Sequence, residues 1–87
     1  MENQYQINER IAECLDLLEI NRGKIITQQV AKHIYRLSKQ CFKIIEYRLS
    51  DNESLVIMQR QLDNELCGDP VLFIVKGPIG NELNMTD

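Results

Sequence analysis

The sequence predicts a mainly α fold, with an antiparallel helical hairpin, a third helix and one C-terminal β-strand. Two observations favour it. In residues 27 to 49 the apolar residues recur at helical spacing, within about half of the helix circumference at roughly 100° per residue. Residues 71 to 75 are consecutive, mostly β-branched or aromatic, and apolar, which is typical of a strand. The chain therefore combines helices with at least one extended segment.

The first helix is predicted from Tyr5 to Arg22. Apolar residues recur along it three and four positions apart, and Gly23 follows as a left-handed C-terminal stop. After a short link, Thr27 is predicted to be the N-cap of the second helix, because its hydroxyl can accept a hydrogen bond from a free N–H of the first turn. The second helix, residues 27 to 49, would then return antiparallel to the first.

Residues 50 to 68 allow two interpretations. The pattern Ser50-x-x-Glu53 is a capping box, and with apolar residues at helical spacing and Gly68 as a stop it favours a third helix. Alternatively, residues 50 to 53 form a loop between two strands, although the apolar run from Leu55 to Met58 does not alternate. The helix is favoured because its end signals agree with its internal spacing. The alternative is an α+β fold with a small antiparallel sheet from residues 43–49, 54–61 and 71–75, which would shorten the second helix to Thr27–Gln40.

The C-terminal strand needs a partner, because a lone strand leaves its backbone N–H and C=O groups unpaired. The partner would be the alternative hairpin or the same strand of a second subunit. We therefore expect a homodimer, with self-association through Val71, Phe73 and Val75.

The length of 87 residues predicts a single small domain, residues 1 to 80, followed by a disordered polar tail, residues 81 to 87. A chain this short buries only about 60 to 65% of the surface that its unfolded form exposes. Association with a second copy would therefore help it to fold.

The net charge is −3, but cations concentrate in residues 22 to 48, where Glu46 is the only acid. Within this block, cations recur at helical spacing and would form a basic stripe along the second helix. We expect this stripe to bind an acidic protein partner, although the acidic flanking segments could neutralise it within the fold. The predicted partner-binding residues are Lys32, Arg36, Lys39 and Lys43.

No catalytic, metal or cofactor site is predicted. Cys14, Cys41 and Cys67 are odd in number and far apart, which indicates reduced thiols rather than disulfides or a zinc site. His33 is the only histidine and has no second ligand at metal-binding spacing. Residues 1 to 6 lack the positive region and the apolar run of a signal peptide, and no apolar run approaches the ~20 residues of a membrane-spanning helix, so neither segment is expected. We expect a cytoplasmic protein that is not an enzyme and has no membrane partner.

The predicted function is a non-enzymatic interaction or regulatory module. The alternative is a small DNA- or RNA-binding transcriptional regulator that uses the same basic helix. Residues 30 to 45 loosely resemble a helix-turn-helix, with Ser38 at the start of a recognition helix. Tyr35 occupies the turn position where that family usually has Gly, and the apolar stripe keeps one phase throughout, so a continuous helix is favoured.

Overall fold

A four-stranded mixed sheet, covered on one face by two helices, forms the fold. The computed structural model describes residues 1 to 77. The sheet order is β1-β4-β3-β2. The mainly α prediction is therefore wrong, whereas the α+β alternative is close to the observed fold. The elements are α1 (Gln4–Asn21), β1 (Ile25–Thr27), α2 (Gln28–Ser38), β2 (Phe42–Ser50), β3 (Glu53–Leu62) and β4 (Glu65–Lys76).

Helix α1 lies within a residue of its predicted bounds at either end. Asn3 is the N-cap, and its side chain accepts a hydrogen bond from the Gln6 backbone at 2.8 Å. The Gln6 side chain accepts from the Asn3 backbone at 3.1 Å, which completes a capping box. After the helix, Gly23 has a φ of 72°, a left-handed conformation that glycine adopts without steric cost.

Helix α2 is much shorter than predicted. Thr27 is its N-cap, as predicted, and accepts from the Val30 N–H at 3.3 Å. The helix ends at Ser38, and Lys39 then takes a φ of 43°. The predicted extension to residue 49 is wrong because residues 42 to 50 pair with β3 instead. That pairing satisfies their backbone groups through the next strand, which the apolar spacing within residues 27 to 49 cannot reveal.

The predicted third helix is also wrong, because residues 53 to 62 form strand β3, which pairs with β2 and β4 and is bounded by a turn at each end. Ser50 does not cap a helix; its hydroxyl accepts from the Asn52 N–H at 3.2 Å inside the β2–β3 turn. Asp63 and Asn64, with φ of 52° and 68°, form the two-residue β3–β4 loop. Two successive positive φ values are typical of a type I′ hairpin turn, whose twist matches that of the flanking strands.

Strand β4 begins earlier than the predicted strand and contains a bulge. Residues 68 to 70 lie opposite Gln59 alone, because the register passes from the Met58–Val71 pair to the Arg60–Cys67 pair. The Gln59 amide donates to the carbonyl of Gly68 at 2.7 Å and holds the bulge in place. Proline lacks an N–H to donate, so a bulge is one of the few sites in a sheet that tolerates it.

Strand β1 was not predicted from the sequence. It pairs in parallel with β4, with Ile25 beside Ile74. The Gly23 N–H donates to the Leu72 carbonyl at 2.7 Å, and the Ile74 N–H donates to the Lys24 carbonyl at 2.9 Å. The C-terminal strand thus has partners on both of its edges within one chain, so pairing with a second subunit is not needed to satisfy it.

The two helices pack against each other in opposite directions, as their contacts show. The Arg10 guanidinium donates to the Leu37 carbonyl at 2.6 Å, and the Cys14 thiol contacts the Ile34 carbonyl at 3.8 Å. Side chains from both helices meet the inward side of the sheet in one hydrophobic core. The core comprises Ile11, Cys14, Leu18, Ile26, Ala31, Ile34, Phe42, Val56, Met58, Val71, Phe73 and Val75.

Two sequence predictions concern the ends and the environment of the chain. The predicted tail, residues 81 to 87, and the last three residues of the predicted domain lie outside the described residues. Within residues 1 to 77, neither helix combines the length and the apolar character needed to cross a membrane.

We expect Asn64→Gly to stabilise the protein by about 0.5 to 1 kcal/mol, because glycine suits a positive φ at the second turn position better than asparagine does. Asn52→Gly is the matched control, since Asn52 is also exposed in a β-turn but lacks a positive φ. It should leave stability unchanged or lower it. Urea denaturation measures both, and equal effects of the two changes would contradict the assigned turn.

Burial raises the pKa of the Cys14 thiol to about 11. The thiol of an unfolded chain has a pKa of about 8.5. Above that pH the unfolded chain loses the thiol proton while the folded chain still holds it, so the unfolded state becomes more favourable as the pH rises toward 11. The free energy of unfolding should therefore fall between these values, and the fall should be shallower in Cys14→Ala. Val56→Ala, which changes a buried side chain that carries no ionisable group, should keep the wild-type slope. Denaturation curves across this range would refute the assignment if all three slopes coincide.

Candidate functional site

The side of the sheet that faces away from the helices is apolar. We call it the open face. Successive strand residues point to opposite sides, so Phe73 lies in the core at 1% exposure while its neighbour Leu72 lies on the open face at 41%. None of the elements described in residues 1 to 77 covers this side. The apolar members of the open face are Ile25, Ile45, Tyr47, Leu55, Ile57, Leu72 and Ile74.

Strand pairing arranges these side chains into two continuous rows. The first row crosses all four strands, and the second crosses β4, β3 and β2. Ile25 and Tyr47 at the ends of the first row are 59% and 53% exposed, whereas the central side chains are half-buried by their neighbours. The rows are Ile25–Ile74–Leu55–Tyr47 and Leu72–Ile57–Ile45.

The two rows explain why the apolar runs in β3 and β4 do not alternate. An antiparallel strand with one wet face alternates between apolar and polar residues, whereas a strand with two covered faces is apolar throughout. Residues 55 to 58 and 71 to 75 follow the second pattern. In the sequence alone, the missing alternation in residues 55 to 58 argues against a strand with one polar face. The same pattern is the signal of a strand that is apolar on both faces.

Charged and polar side chains border the rows at their two ends. At one end, Lys43 of β2 lies beside Gln59 of β3. At the other end, Glu53 of β3 lies beside Lys76 of β4. Among residues 1 to 77, Lys43 forms no ion pair. The open face therefore has a basic end and a mixed end, with an apolar centre.

The predicted self-association residues lie on the other side of the sheet. Val71, Phe73 and Val75 are at most 6% exposed, because α1 and α2 cover them. Their side chains stabilise the core and are not accessible to a second subunit. The open-face residues of the same strand are Leu72 and Ile74, one position away in each case.

The predicted basic stripe is divided among three environments. Lys32 and Arg36 remain four residues apart on α2, and Arg36 is exposed in its last turn. Lys39 lies beyond the helix with its ammonium 3.5 Å from the Glu2 carboxylate. Lys43 lies on the open face of β2. The four cations thus do not form one surface.

Other chemistry predicted from the sequence can also be placed. His33 and Glu13 approach to 3.8 Å across the two helices on an exposed surface. Residues 1 to 77 contain no cluster of three or more His, Cys, Asp or Glu side chains suited to a metal ion. The segment after Ser38, where a helix-turn-helix would place its recognition helix, leads into strand β2.

A cleft of about 250 Å³ lies between α1 and the bulged end of the sheet. Its apolar floor includes Leu18 and Met58, and its rim carries Arg22 and Arg60. Both guanidinium groups already have internal partners: Arg22 binds Glu19 at 3.1 Å, and Arg60 donates to the Cys41 carbonyl at 3.1 Å. The cleft therefore offers fewer uncommitted groups to a ligand than the open face does.

Comparisons with known protein families, curated proteins and solved structures find no match to this chain.

We expect Phe73→Ala and Leu72→Ala to differ strongly although the two residues are adjacent. Phe73→Ala leaves a core cavity and should cost about 3 to 5 kcal/mol, whereas Leu72→Ala at low micromolar protein should cost less than about 1 kcal/mol. Chemical denaturation compares the two. Similar losses of stability would show that the open face is covered within the monomer.

Proposed function

We propose that this protein is a non-enzymatic interaction module that binds a protein partner through the open face of its sheet. The observation that carries this proposal is the pair of apolar rows across the sheet. The rows use β-branched and aliphatic residues where a solvated face would carry polar ones. Covering them with a partner removes apolar surface from water, which is the main driving force of protein association.

The size of the open face supports the same proposal. Strand spacings of about 4.8 Å and a two-residue repeat of about 6.7 Å give the open face, with its charged ends included, a footprint of roughly 19 by 20 Å from Glu53 to Gln59. The two apolar rows form the central half of this footprint, and a contiguous apolar patch on a protein surface often marks an interaction site. An apolar centre with charged ends also follows the usual division of an interface into core and rim.

The open face is a better contact surface than the basic stripe. An acidic partner or a nucleic acid would need several cations on one side of the molecule, since its affinity comes from summed charge contacts. Here Lys39 faces Glu2 and Lys43 belongs to the open face. Only Lys32 and Arg36 remain together on α2, which is a small basis for either partner.

Photocrosslinking in living cells tests the proposed function. The photoreactive residue p-benzoylphenylalanine in place of Leu72 should give discrete covalent adducts upon irradiation, because a bound partner covers this position. The same residue in place of Asp16, which is exposed on α1, is the matched control and should give none.

Mass spectrometry then identifies the adducts. Adducts at position 72 that are lost when Ile57 is changed to Lys in the same chain support binding by the open face. Equal yields from positions 72 and 16, or none from either, would contradict it. Circular dichroism of the purified variants confirms that they are folded before they are compared.

A further inference from the structure

We infer that the partner of the open face is a second copy of this chain, packed sheet against sheet about a two-fold axis that runs parallel to the apolar rows. This inference rests on the proposed function and adds the identity of the partner. The order of residues along the strands and the charges at the two ends of the face support a second copy as the partner.

The open face is complementary to itself under this rotation. The axis places each strand over its own copy in the opposite direction, so that the first row of one copy lies over the second row of the other. Leu55 then meets Ile57 of the second copy, Leu72 meets Ile74, and Ile45 meets Tyr47. Each contact occurs twice, as a two-fold interface requires.

The charges at the ends of the face also match. The rotation places Glu53 of one copy over Gln59 of the other, and Gln59 is the cross-strand neighbour of Lys43. The Glu53 carboxylate therefore comes next to a lysine that has no ion pair among residues 1 to 77 of its own chain. Two such Lys43–Glu53 contacts would fix the direction of one sheet on the other.

The area that the two faces would bury is near the lower limit for a specific interface. Side chains that project from a twisted sheet expose more than its projected area of roughly 400 Å², so covering two faces approaches the ~1,200 Å² at the lower end of specific interfaces. Two antiparallel sheets pack about 10 Å apart with their side chains interdigitated, which is the ordinary structure of a β-sandwich. The dimer would have four layers, with helices outside and two sheets within.

Sedimentation equilibrium of the full chain, from low to high micromolar concentration, tests this inference. Wild type should show a monomer–dimer equilibrium. Lys43→Glu and Glu53→Lys should each weaken the dimer about tenfold or more, because each places like charges together at both ends of the interface. The double variant should recover an affinity close to that of wild type. Arg36→Glu, an exposed charge change on α2, is the control and should have no effect.

Three outcomes would overturn the inference. A wild type that stays monomeric throughout, a dimer that tolerates both single charge reversals, or a double variant no better than the single ones would each exclude this arrangement. Photocrosslinking at Leu72 separates this failure from failure of the proposed function. Adducts with a different protein would leave the open face as a binding surface, whereas a monomer without adducts would remove both proposals.

Discussion

The central position of β4 is the constraint on which the rest of the structure depends. This strand pairs with β1 on one side and β3 on the other, although β1 lies about fifty residues earlier in the chain. Its inward residues form the floor under both helices, and the Gly23 and Ile74 hydrogen bonds tie the N-terminal half to it. The helices therefore gain a surface to pack on only when β4 is in place, which makes folding depend on contacts of long range.

Because β3 and β4 are apolar on both sides, two helices are not enough to cover the sheet. Packed layers of secondary structure bury apolar faces in pairs, and here one face of a two-layer domain has no counterpart in residues 1 to 77. Polar substitution at Ile57 or Leu72 would solve this problem in a permanent monomer. The residues at these positions are apolar, and in the proposed dimer the second sheet supplies the missing layer.

Several of the cations and acids that lie in separate blocks of the sequence form ion pairs with each other in the folded chain. Arg10 binds the Glu2 carboxylate through two hydrogen bonds, at 2.9 and 3.1 Å, and holds the pKa of Glu2 below its usual range. Arg22 binds Glu19, and Arg48 approaches Asp51. The Arg22 and Arg48 pairs are exposed and contribute little stability. All three pairs leave fewer cations for an acidic ligand. Lys43, at one end of the apolar rows, forms no ion pair among residues 1 to 77.

The sequence by itself determined the elements whose signals are local: helix α1, the Thr27 cap and the extended run at 71 to 75. The tertiary structure alone decided the end of α2, the β2–β3–β4 meander and the parallel β1, because these depend on pairing between strands and not on the pattern within one segment. It also decided which side of β4 is accessible. Alternation assigns Val71 and Leu72 to opposite faces, but only the position of the helices shows that Val71 is buried and Leu72 is exposed. The sequence therefore identifies residues 71 to 75 as an apolar strand, but not which of its two faces the helices cover.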